Sequence, residues 1–291
     1  MEGLDFSVRS TDEGFLELVR GYLGPFRVEE GPEDTNFQAD CGTPRILPGG
    51  LVLRPTANLY LGRLRIYCGR RWEDMAGRLV SGVRDMMTTP ANEFFRLRAA
   101  GAVVDERALI LPSAPNPHLP ALAALLARAG AGYLGDEVVY LDPILRRIHG
   151  ITLPILVDVA DLRYFPDLVG GRFPRPRDTV SGSDEPDARA PRRAINVKDL
   201  GGHHGSPAPL GWIVFPSFQP GETTRLEPVG SSEALFGLMQ AMLNVHVWAD
   251  RALILFRELV ETVPVVRLVV GSLPDAADLL EDLPAEVARS G

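Results

Sequence analysis

The residues with the clearest chemical consequence lie in the loop SAPNPHLP, at positions 113–120. An apolar strand sequence, RALILP, directly precedes the loop, and an alanine- and leucine-rich helix sequence overlaps its end. This order suits phosphate binding, which requires backbone N–H groups around the phosphates, a lysine, and a hydroxyl group on Mg²⁺. Here Pro115, Pro117 and Pro120 have no N–H group, and no lysine is near in sequence. The loop is therefore predicted to be a stiff turn that cannot hold a triphosphate.

Three ionisable side chains in and after the loop could transfer protons or bind a cation, and they are the candidate catalytic residues. Asp136 and Glu137 follow the strand sequence GYLG, where paired acids could hold Mg²⁺, with Asp136 as the metal ligand, or deprotonate a hydroxyl group. The alternative for these acids is a solvated turn or a local ion pair. His118 could begin the helix, or it could act as an acid–base group, since an imidazole titrates near neutrality.

Two basic residues are candidates for binding a phosphate group. Lysine and arginine together number 30, but Lys198 in NVKDLGG is the only lysine, so it alone could replace a missing loop lysine. Arg225 in TRLEPVGSSEAL precedes a helix N-terminus, where a guanidinium suits phosphate or carboxylate. For both residues the alternative is an exposed side chain without a specific partner.

The composition predicts one large or two smaller globular domains. The chain has 291 residues, 45% of them hydrophobic, and a net charge of −8, which argues against broad binding to nucleic acids or anionic membranes. Cys41 and Cys68 lie far apart in sequence, which suits a reducing compartment. The N-terminal sequence lacks the apolar core of a signal peptide. No run approaches the roughly 20 apolar residues of a membrane helix. The cytoplasm is the expected location.

The hydrophobic pattern divides the chain into two regions. Residues 1–93 are expected to form a small α+β region, with helices in GFLELVRGYLGPF and in Trp72–Met87 and antiparallel strands between them. A further helix is expected in ANEFFRLRAA. Residues 94–291 are expected to form an α/β domain.

Several elements of the α/β domain follow from local sequence. A strand pair is expected to turn at Asp105 and Glu106, and the alanine-rich helix is expected to end at Gly130 or Gly132. The segment ITLPILVDV is expected to continue the main sheet. Residues 172–194 are rich in proline and charge and are expected to form a mobile surface insertion. A buried strand, two helices, a closing strand and an acidic helix are expected in GWIVFPSF, SSEALFGLMQAMLNVHVWADRALILFRELVETV, VVRLVVGSL and PDAADLLEDL.

The order of these segments, from Phe95 to Leu283, resembles that of the HPr kinase/phosphorylase-related family. The matching motifs are GYLGDEVVYLDP, RYFPDLVG, VKDLGG, LGWIVFPSFQPGETTRLEPVGSSEALFGLM and VVRLVVGSL. The resemblance implies a P-loop fold like that of phosphoenolpyruvate carboxykinase. Such a fold is a mixed sheet with flanking helices, here preceded by a small β-rich and helical N-terminal region.

The resemblance places the loop on the family's P-loop but shows that its chemistry has changed. Ser113 and His118 stand where the family has its two glycines. Leu119 replaces the lysine, and Pro120 replaces the serine or threonine. Arg98 stands near the position of a histidine in the family's kinases.

The resemblance also assigns roles to residues outside the loop. Asp136 and Glu137 match the family's metal-binding and proton-accepting acids. If a nucleotide were bound, the main chain of Ser113 and Asn116, together with Lys198 and Arg225, would be its expected contacts.

Three functions are compatible with these residues. The favoured one is a pseudokinase, a binding or regulatory module for a peptide, a small carrier protein, a partner enzyme or a small molecule, with no cofactor expected. The second is an active kinase for a serine or a small hydroxyl compound, which would need Mg-ATP and a non-standard phosphate site. The third is an enzyme of a specialised biosynthetic pathway with His118 and Asp136 as acid and base. The family's frequent oligomers make a homo-oligomer a further expectation.

Overall fold

The computed structural model describes residues 6–27, 36–42, 45–46, 48, 52–53, 56–88, 93–151, 153–169 and 192–283. These residues form a mixed α/β structure with several sheets and six α-helices. The expectation of a mixed α/β protein is confirmed at this level.

The N-terminal region contains a four-stranded sheet with two helices. The sheet has the order β1-β2-β5-β6, in which β1 and β2 are parallel and the other neighbours are antiparallel. The helices α1 and α2 confirm the two predicted from amphipathic spacing. Their bounds, with those of a separate two-stranded hairpin, are β1 Ser7–Ser10, α1 Glu13–Leu23, β2 Asn36–Cys41, β3 Arg45–Ile46, β4 Val52–Leu53, β5 Ala57–Leu61, β6 Leu64–Gly69 and α2 Trp72–Thr88.

The rest of the chain is built on a nine-stranded mixed sheet with helices on both faces. A separate pair of antiparallel strands, β12 and β13, lies outside this sheet. The bounds are β7 Phe95–Val104, β8 Arg107–Pro112, α3 Leu119–Ala129, β9 Gly132–Gly135, β10 Val138–Leu141, β11 Arg147–His149, β12 Ile155–Asp158, β13 Arg192–Ile195, β14 His203–His204, β15 Ala208–Phe218, β16 Arg225–Pro228, α4 Ser231–Ala241, α5 Val245–Thr262, β17 Val265–Val270 and α6 Leu273–Glu281.

The main sheet closes on itself. Strand β8 pairs with both β7 and β15, while β10 and β11 connect β7 to β15 on the other side, so five strands form a closed circuit. Strands β8, β15 and β17 are mutually parallel neighbours. Their carboxyl ends therefore lie at one edge of the sheet, which we call the carboxyl edge.

Strand β8 is buried on both faces, as its apolar sequence requires. Leu109 and Leu111 pack into one hydrophobic cluster with α3 and α6, and Ala108 and Ile110 pack into another with α4 and α5. The alternation follows from the two-residue period of a strand. The sheet is consequently the middle of three layers.

The ends of several elements agree with the local sequence signals. Asp105 and Glu106 form the turn between β7 and β8, both with positive φ. Helix α3 ends at Gly130, which has a φ of 114° and adopts the left-handed conformation that glycine favours at this position.

The N-terminal region shares a core with the later part of the chain. Tyr140, Ile151 and Leu153 are buried in the same cluster as residues of α1, α2 and the first sheet, such as Phe15 and Met75. The boundary predicted at residues 93 and 94 falls between α2 and β7, but side chains from both parts pack together around it.

Three sequence expectations need correction. The described part of the segment ANEFFRLRAA, residues 93–100, does not form the predicted helix, because Phe95, Leu97 and Ala99 alternate with less buried residues along strand β7. The segment ITLPILVDV contains β12, which pairs with β13 outside the main sheet. Most of the predicted insertion, residues 172–191, lies outside the described residues, but Arg192–Ile195 forms β13.

Two further findings concern membrane-spanning helices and cysteine thiols. None of the described helices combines the length and the apolar character needed to cross a membrane. Cys41 is partly buried and Cys68 is exposed, and both are free thiols.

Candidate functional site

The carboxyl edge is the place where the fold itself predicts a ligand site. From β8 the chain passes through α3 to β9, on the far side of β7, whereas from β15 it passes through α4 and α5 to β17. The connections from two adjacent parallel strands thus leave in opposite directions, to opposite faces of the sheet. In α/β sheets, ligands bind outside the carboxyl ends of strands at such a topological switch point.

The loop between β8 and α3 has few backbone donors left for a ligand. Ser113 donates its N–H group to the carbonyl oxygen of Arg98, at 3.2 Å, and its hydroxyl group to the carbonyl oxygen of Ala114. His118 donates its N–H group to Oδ1 of Asn116, at 2.9 Å, and Leu119 donates to the carbonyl oxygen of Asn116. The prolines of the loop have no N–H group to offer.

Two backbone donors of this loop remain uncommitted. Within the described part of the chain, the N–H groups of Ala114 and Asn116 have no protein acceptor. The candidate ligand contacts Ser113 and Asn116 are thus adjacent, but only the second has a free main-chain donor. Leu119, at the position of a P-loop lysine, is 3% exposed and packs in the hydrophobic core.

Lys198 does not lie near this loop. It is exposed on the 3₁₀ helix Val197–Leu200, and Gly202, just after that helix, approaches the carbonyl oxygen of Ala127 near the C-terminus of α3. From Leu119 to Ala127 a helix rises about 12 Å. The only lysine is therefore beside the end of α3 that is remote from the loop.

His118 forms the most specific side-chain contact at the carboxyl edge. Its Nδ1 atom lies 2.8 Å from Oδ2 of Asp161, which is in the 3₁₀ helix Val159–Tyr164 that follows β12. The side chain of Asp161 is fully buried, while that of His118 is 37% exposed. The ring of Phe218, the last residue of β15, lies 5.7 Å from the imidazole, measured between ring centroids. The imidazole pairs with Asp161 and not with Asp136, which only the third of the functions considered from sequence combined with His118 as acid and base.

Asp136 and Glu137 lie at a kink between β9 and β10, next to β7. The carbonyl oxygen of Glu137 accepts the N–H group of Ala99, which pairs on its other side with Pro112 at the end of β8. The acids are therefore level with the start of the loop, but two strand spacings away, about 10 Å.

Every carboxylate oxygen of these two acids has a partner within the protein. Arg84 of α2 forms ion pairs with Asp136 at 3.0 Å and with Glu137 at 3.2 Å. Asp136 also accepts hydrogen bonds from the Tyr133 hydroxyl group, at 2.8 Å, and the Leu156 N–H group, at 3.0 Å. Arg192 of β13 pairs with the second oxygen of Glu137. The two acids are counter-ions of two arginines, and we call these four residues the arginine–acid cluster.

Burial and charge act together on the pKa values of this cluster. Burial raises the pKa of the Tyr133 hydroxyl group, and the negative charge of Asp136 raises it further. Burial alone would lower the pKa of Arg84, but Asp136, Tyr133 and Glu137 together outweigh it and the pKa is raised. Burial alone would raise the pKa of Glu137, but Arg84 and Arg192 lower it below its ordinary value. The shifts of Arg84 and Glu137 favour the charged, paired state of these two groups.

The lowered pKa of Glu137 predicts a specific dependence of stability on pH. A carboxyl group whose pKa is lowered by folding stabilises the protein above its unfolded pKa and loses this contribution as the pH falls through the folded pKa. At pH 7 we expect Glu137→Gln to lower the free energy of unfolding by roughly 1.5 kcal/mol, the lower end for a hydrogen bond to a charged group. As the pH falls below the ordinary Glu value of 4.5 and through the lowered pKa of Glu137, the difference in free energy of unfolding between wild type and Glu137→Gln should shrink to zero.

Urea unfolding of both proteins at a series of pH values measures this difference. A gap between wild type and Glu137→Gln that stays constant or widens on acidification would contradict the assignment. Glu13→Gln is the matched control, because Glu13 forms an exposed ion pair with Arg20 and should show a small difference throughout.

Arg225 lies at the carboxyl edge, but away from His118. It is the first residue of β16 and pairs with Val269 near the end of β17. Three strand spacings, about 14 Å, separate β16 from β8. Its guanidinium is held by Glu227 at 2.8 Å and by Glu222 at 3.6 Å.

The structure thus divides the predicted site residues into separate places. Ser113, Asn116 and His118 share the loop, and Asp136 and Glu137 share the arginine–acid cluster. Arg225 and Lys198 belong to neither. Among the described residues, no group of three or more His, Cys, Asp or Glu side chains is arranged to hold a metal ion.

Four important residues were missed by reasoning from sequence: Asp161, Phe218, Arg84 and Arg192. Arg84 had a signal, because it follows Val80 by four residues and so lies on the buried face of α2, where it is 4% exposed. Asp161 had none, since nothing local relates it to His118.

No protein-family model matches the chain, and no curated protein matches it at a significant level.

Proposed function

We propose that this chain is a binding or regulatory module that keeps the strand, loop and helix order of the HPr-kinase-like fold but does not transfer phosphate from ATP. The main support is the arginine–acid cluster. Asp136 and Glu137, which would have to hold Mg²⁺ or accept a proton, are already neutralised by Arg84 and Arg192. A magnesium ion there would have to displace two arginines, one of them almost completely buried.

The loop supports the same proposal independently. Phosphate binding by a P-loop depends on several charge-assisted hydrogen bonds, each contributing about 1.5–3 kcal/mol. Here the lysine position is a buried leucine, Leu119, and the remaining uncommitted backbone donors are those of Ala114 and Asn116. Too few donors remain to offset the desolvation of a triphosphate.

Binding itself requires only the scaffold, and the scaffold offers a position for it. The switch point between β8 and β15 lies at the carboxyl edge, with His118 and Phe218 on either side. The partner we propose is a peptide, a small carrier protein, a partner enzyme or a small molecule. With a net charge of −8, nucleic acid is a poor candidate. The free thiols fit a reducing compartment such as the cytoplasm.

A thermal-shift titration with ATP and Mg²⁺ tests this function. A ligand at 100 times its Kd stabilises the folded state by about 2.7 kcal/mol, which would raise Tm by several degrees in a protein of this size. We expect 1 mM Mg-ATP, on the order of 100 times the Kd of a competent site, to leave Tm unchanged. Sodium triphosphate with Mg²⁺ at equal ionic strength is the control for general ionic effects.

Two results would support the alternative of an active kinase instead. One is a clear, saturable rise of Tm with ATP at sub-millimolar concentration that triphosphate does not reproduce. The other is transfer of labelled phosphate from ATP to a protein or peptide that disappears in Asp136→Asn, provided that the variant is shown to be folded.

A further inference from the structure

The contact between His118 and Asp161 determines which nitrogen of the imidazole is available. A carboxylate accepts a hydrogen bond, so the Nδ1 atom at 2.8 Å from Asp161 carries the proton. In the neutral ring Nε2 is then unprotonated and presents a lone pair. Within the described part of the chain, Nε2 has no hydrogen-bond partner.

Asp161 and His118 differ in burial as expected for a carboxylate that orients a histidine base. Asp161 is fully buried on the 3₁₀ helix after β12, while the imidazole is partly exposed at the carboxyl edge. Within the part of the chain that the structure describes, the second oxygen of Asp161, Oδ1, is buried and accepts no hydrogen bond, and the guanidinium of Arg163 lies 3.9 Å from it. The charge of this carboxylate is therefore directed mainly at His118. A buried carboxylate in this position stabilises the positive charge that forms when Nε2 takes a proton.

The surroundings of Nε2 select the chemistry of a ligand. In the neutral ring, the lone pair of Nε2 calls for a hydrogen-bond donor such as a hydroxyl group. The partly buried ring of Phe218 lies beside the imidazole and offers a flat apolar surface for another ring. The guanidinium of Arg163 is exposed and lies 3.9 Å from Oδ1 of Asp161.

We propose that His118, oriented by Asp161, accepts a proton from the hydroxyl group of a planar phenol- or enol-type ligand bound beside Phe218 at the carboxyl edge. The ligand's O–H bond breaks and an N–H bond forms at Nε2. The ligand becomes a phenolate or enolate, the imidazole becomes an imidazolium, and Asp161 keeps its charge. This inference rests on the proposed binding role of the carboxyl edge and specifies the chemistry of its ligand.

The probe is 4-nitrophenol, whose phenolate form absorbs visible light and whose neutral form does not. In buffer at a pH where the free probe is mostly neutral, wild-type protein should increase the phenolate absorbance in a saturable way. His118→Gln should abolish the increase. Asp161→Asn should weaken it at least about 10-fold, the effect of losing a charge-assisted hydrogen bond. His246→Gln, at an exposed histidine of α5, is the matched control and should behave like wild type.

A second measurement on the wild-type protein does not depend on the folding of variants. Nitrogen-15 NMR of the histidine side chains should show His118 as the Nδ1–H tautomer, with Nε2 becoming protonated when 4-nitrophenol is added. An Nε2–H tautomer in the free protein would overturn the proposal. Phenolate formation that is absent, or that persists unchanged in His118→Gln, would overturn it as well.

The outcome is separable from that of the ATP experiment. If 4-nitrophenol fails while Mg-ATP also leaves Tm unchanged, the ligand chemistry inferred for His118 is wrong and the binding-module function stands. If Mg-ATP binds, the binding-module function is wrong, whether or not the protein increases the phenolate absorbance of 4-nitrophenol.

Discussion

Replacing Arg84 with methionine should lower the free energy of unfolding by about 3–5 kcal/mol, the range for breaking a buried ion pair on one side. Arg84 is 4% exposed and Asp136 is 2% exposed, so the remaining carboxylate cannot be reached by water. It would keep its hydrogen bonds from Tyr133 and Leu156 but lose its counter-charge. The carbonyl oxygen of Pro154 would also lose its donor, at 2.9 Å.

The variant Arg84→Met should be rescued in part by a second change. Asp136→Asn in the same chain removes the charge that needs a partner, so the double variant should be more stable than Arg84→Met alone. The measurement is urea unfolding of wild type, both single variants and the double variant. The matched control is Arg257→Met, since Arg257 is 75% exposed in its pair with Glu261 and should change stability by about 0.5 kcal/mol or less.

The result has a direct bearing on function. If Arg84→Met is as mild as Arg257→Met, Asp136 does not depend on this arginine, and the acids would be free to bind a cation. If the loss is large and the double variant recovers, the acids are structural counter-ions.

Replacing Gly150 with alanine should lower the free energy of unfolding by about 3 kcal/mol or more, at or above the upper end for overpacking. A Cβ atom at this position would lie 1.9 Å from the carbonyl oxygen of Leu134 and 2.6 Å from its Cα atom. These are main-chain atoms of β9, which cannot rotate away as a side chain would. Either the two segments separate or the sheet deforms.

This close approach affects the site because of where the chain goes next. Gly150 follows β11 and leads to Pro154 and Leu156, whose main-chain groups bind Arg84 and Asp136. The control is Gly21→Ala, at an exposed position of α1 where an added Cβ atom would meet no other atom within 4 Å. There alanine should stabilise the helix by about 0.5–1 kcal/mol. The free energy of unfolding of each variant is measured by urea unfolding. A decrease below about 1 kcal/mol for Gly150→Ala, the lower end for overpacking, would contradict the predicted clash.

Local sequence predicted most helices, strands and turns, because the patterns that specify them involve residues close together in the chain. The amphipathic spacing of α2, the apolar run of β8, the turn at Asp105 and Glu106 and the glycine after α3 were all confirmed. The first part of strand β7, residues 95–100, was mistaken for a helix, because its alternating apolar residues are few and follow a helix. Strand β12 was assigned to the main sheet, because its true partner, β13, lies at the end of a segment without a clear pattern.

By itself, the sequence determined that the loop after β8 lacks the chemistry of a phosphate-binding loop. Three prolines have no N–H group in any conformation, and the only lysine is distant in the chain. Only the tertiary structure decided what the ionisable residues do. Arg84 meets Asp136 across 52 residues, and His118 meets Asp161 across 43. The physical reason is that backbone preference and burial depend on the type of a residue and on its neighbours in sequence. The partner of a charged side chain depends instead on how segments far apart in sequence pack against each other.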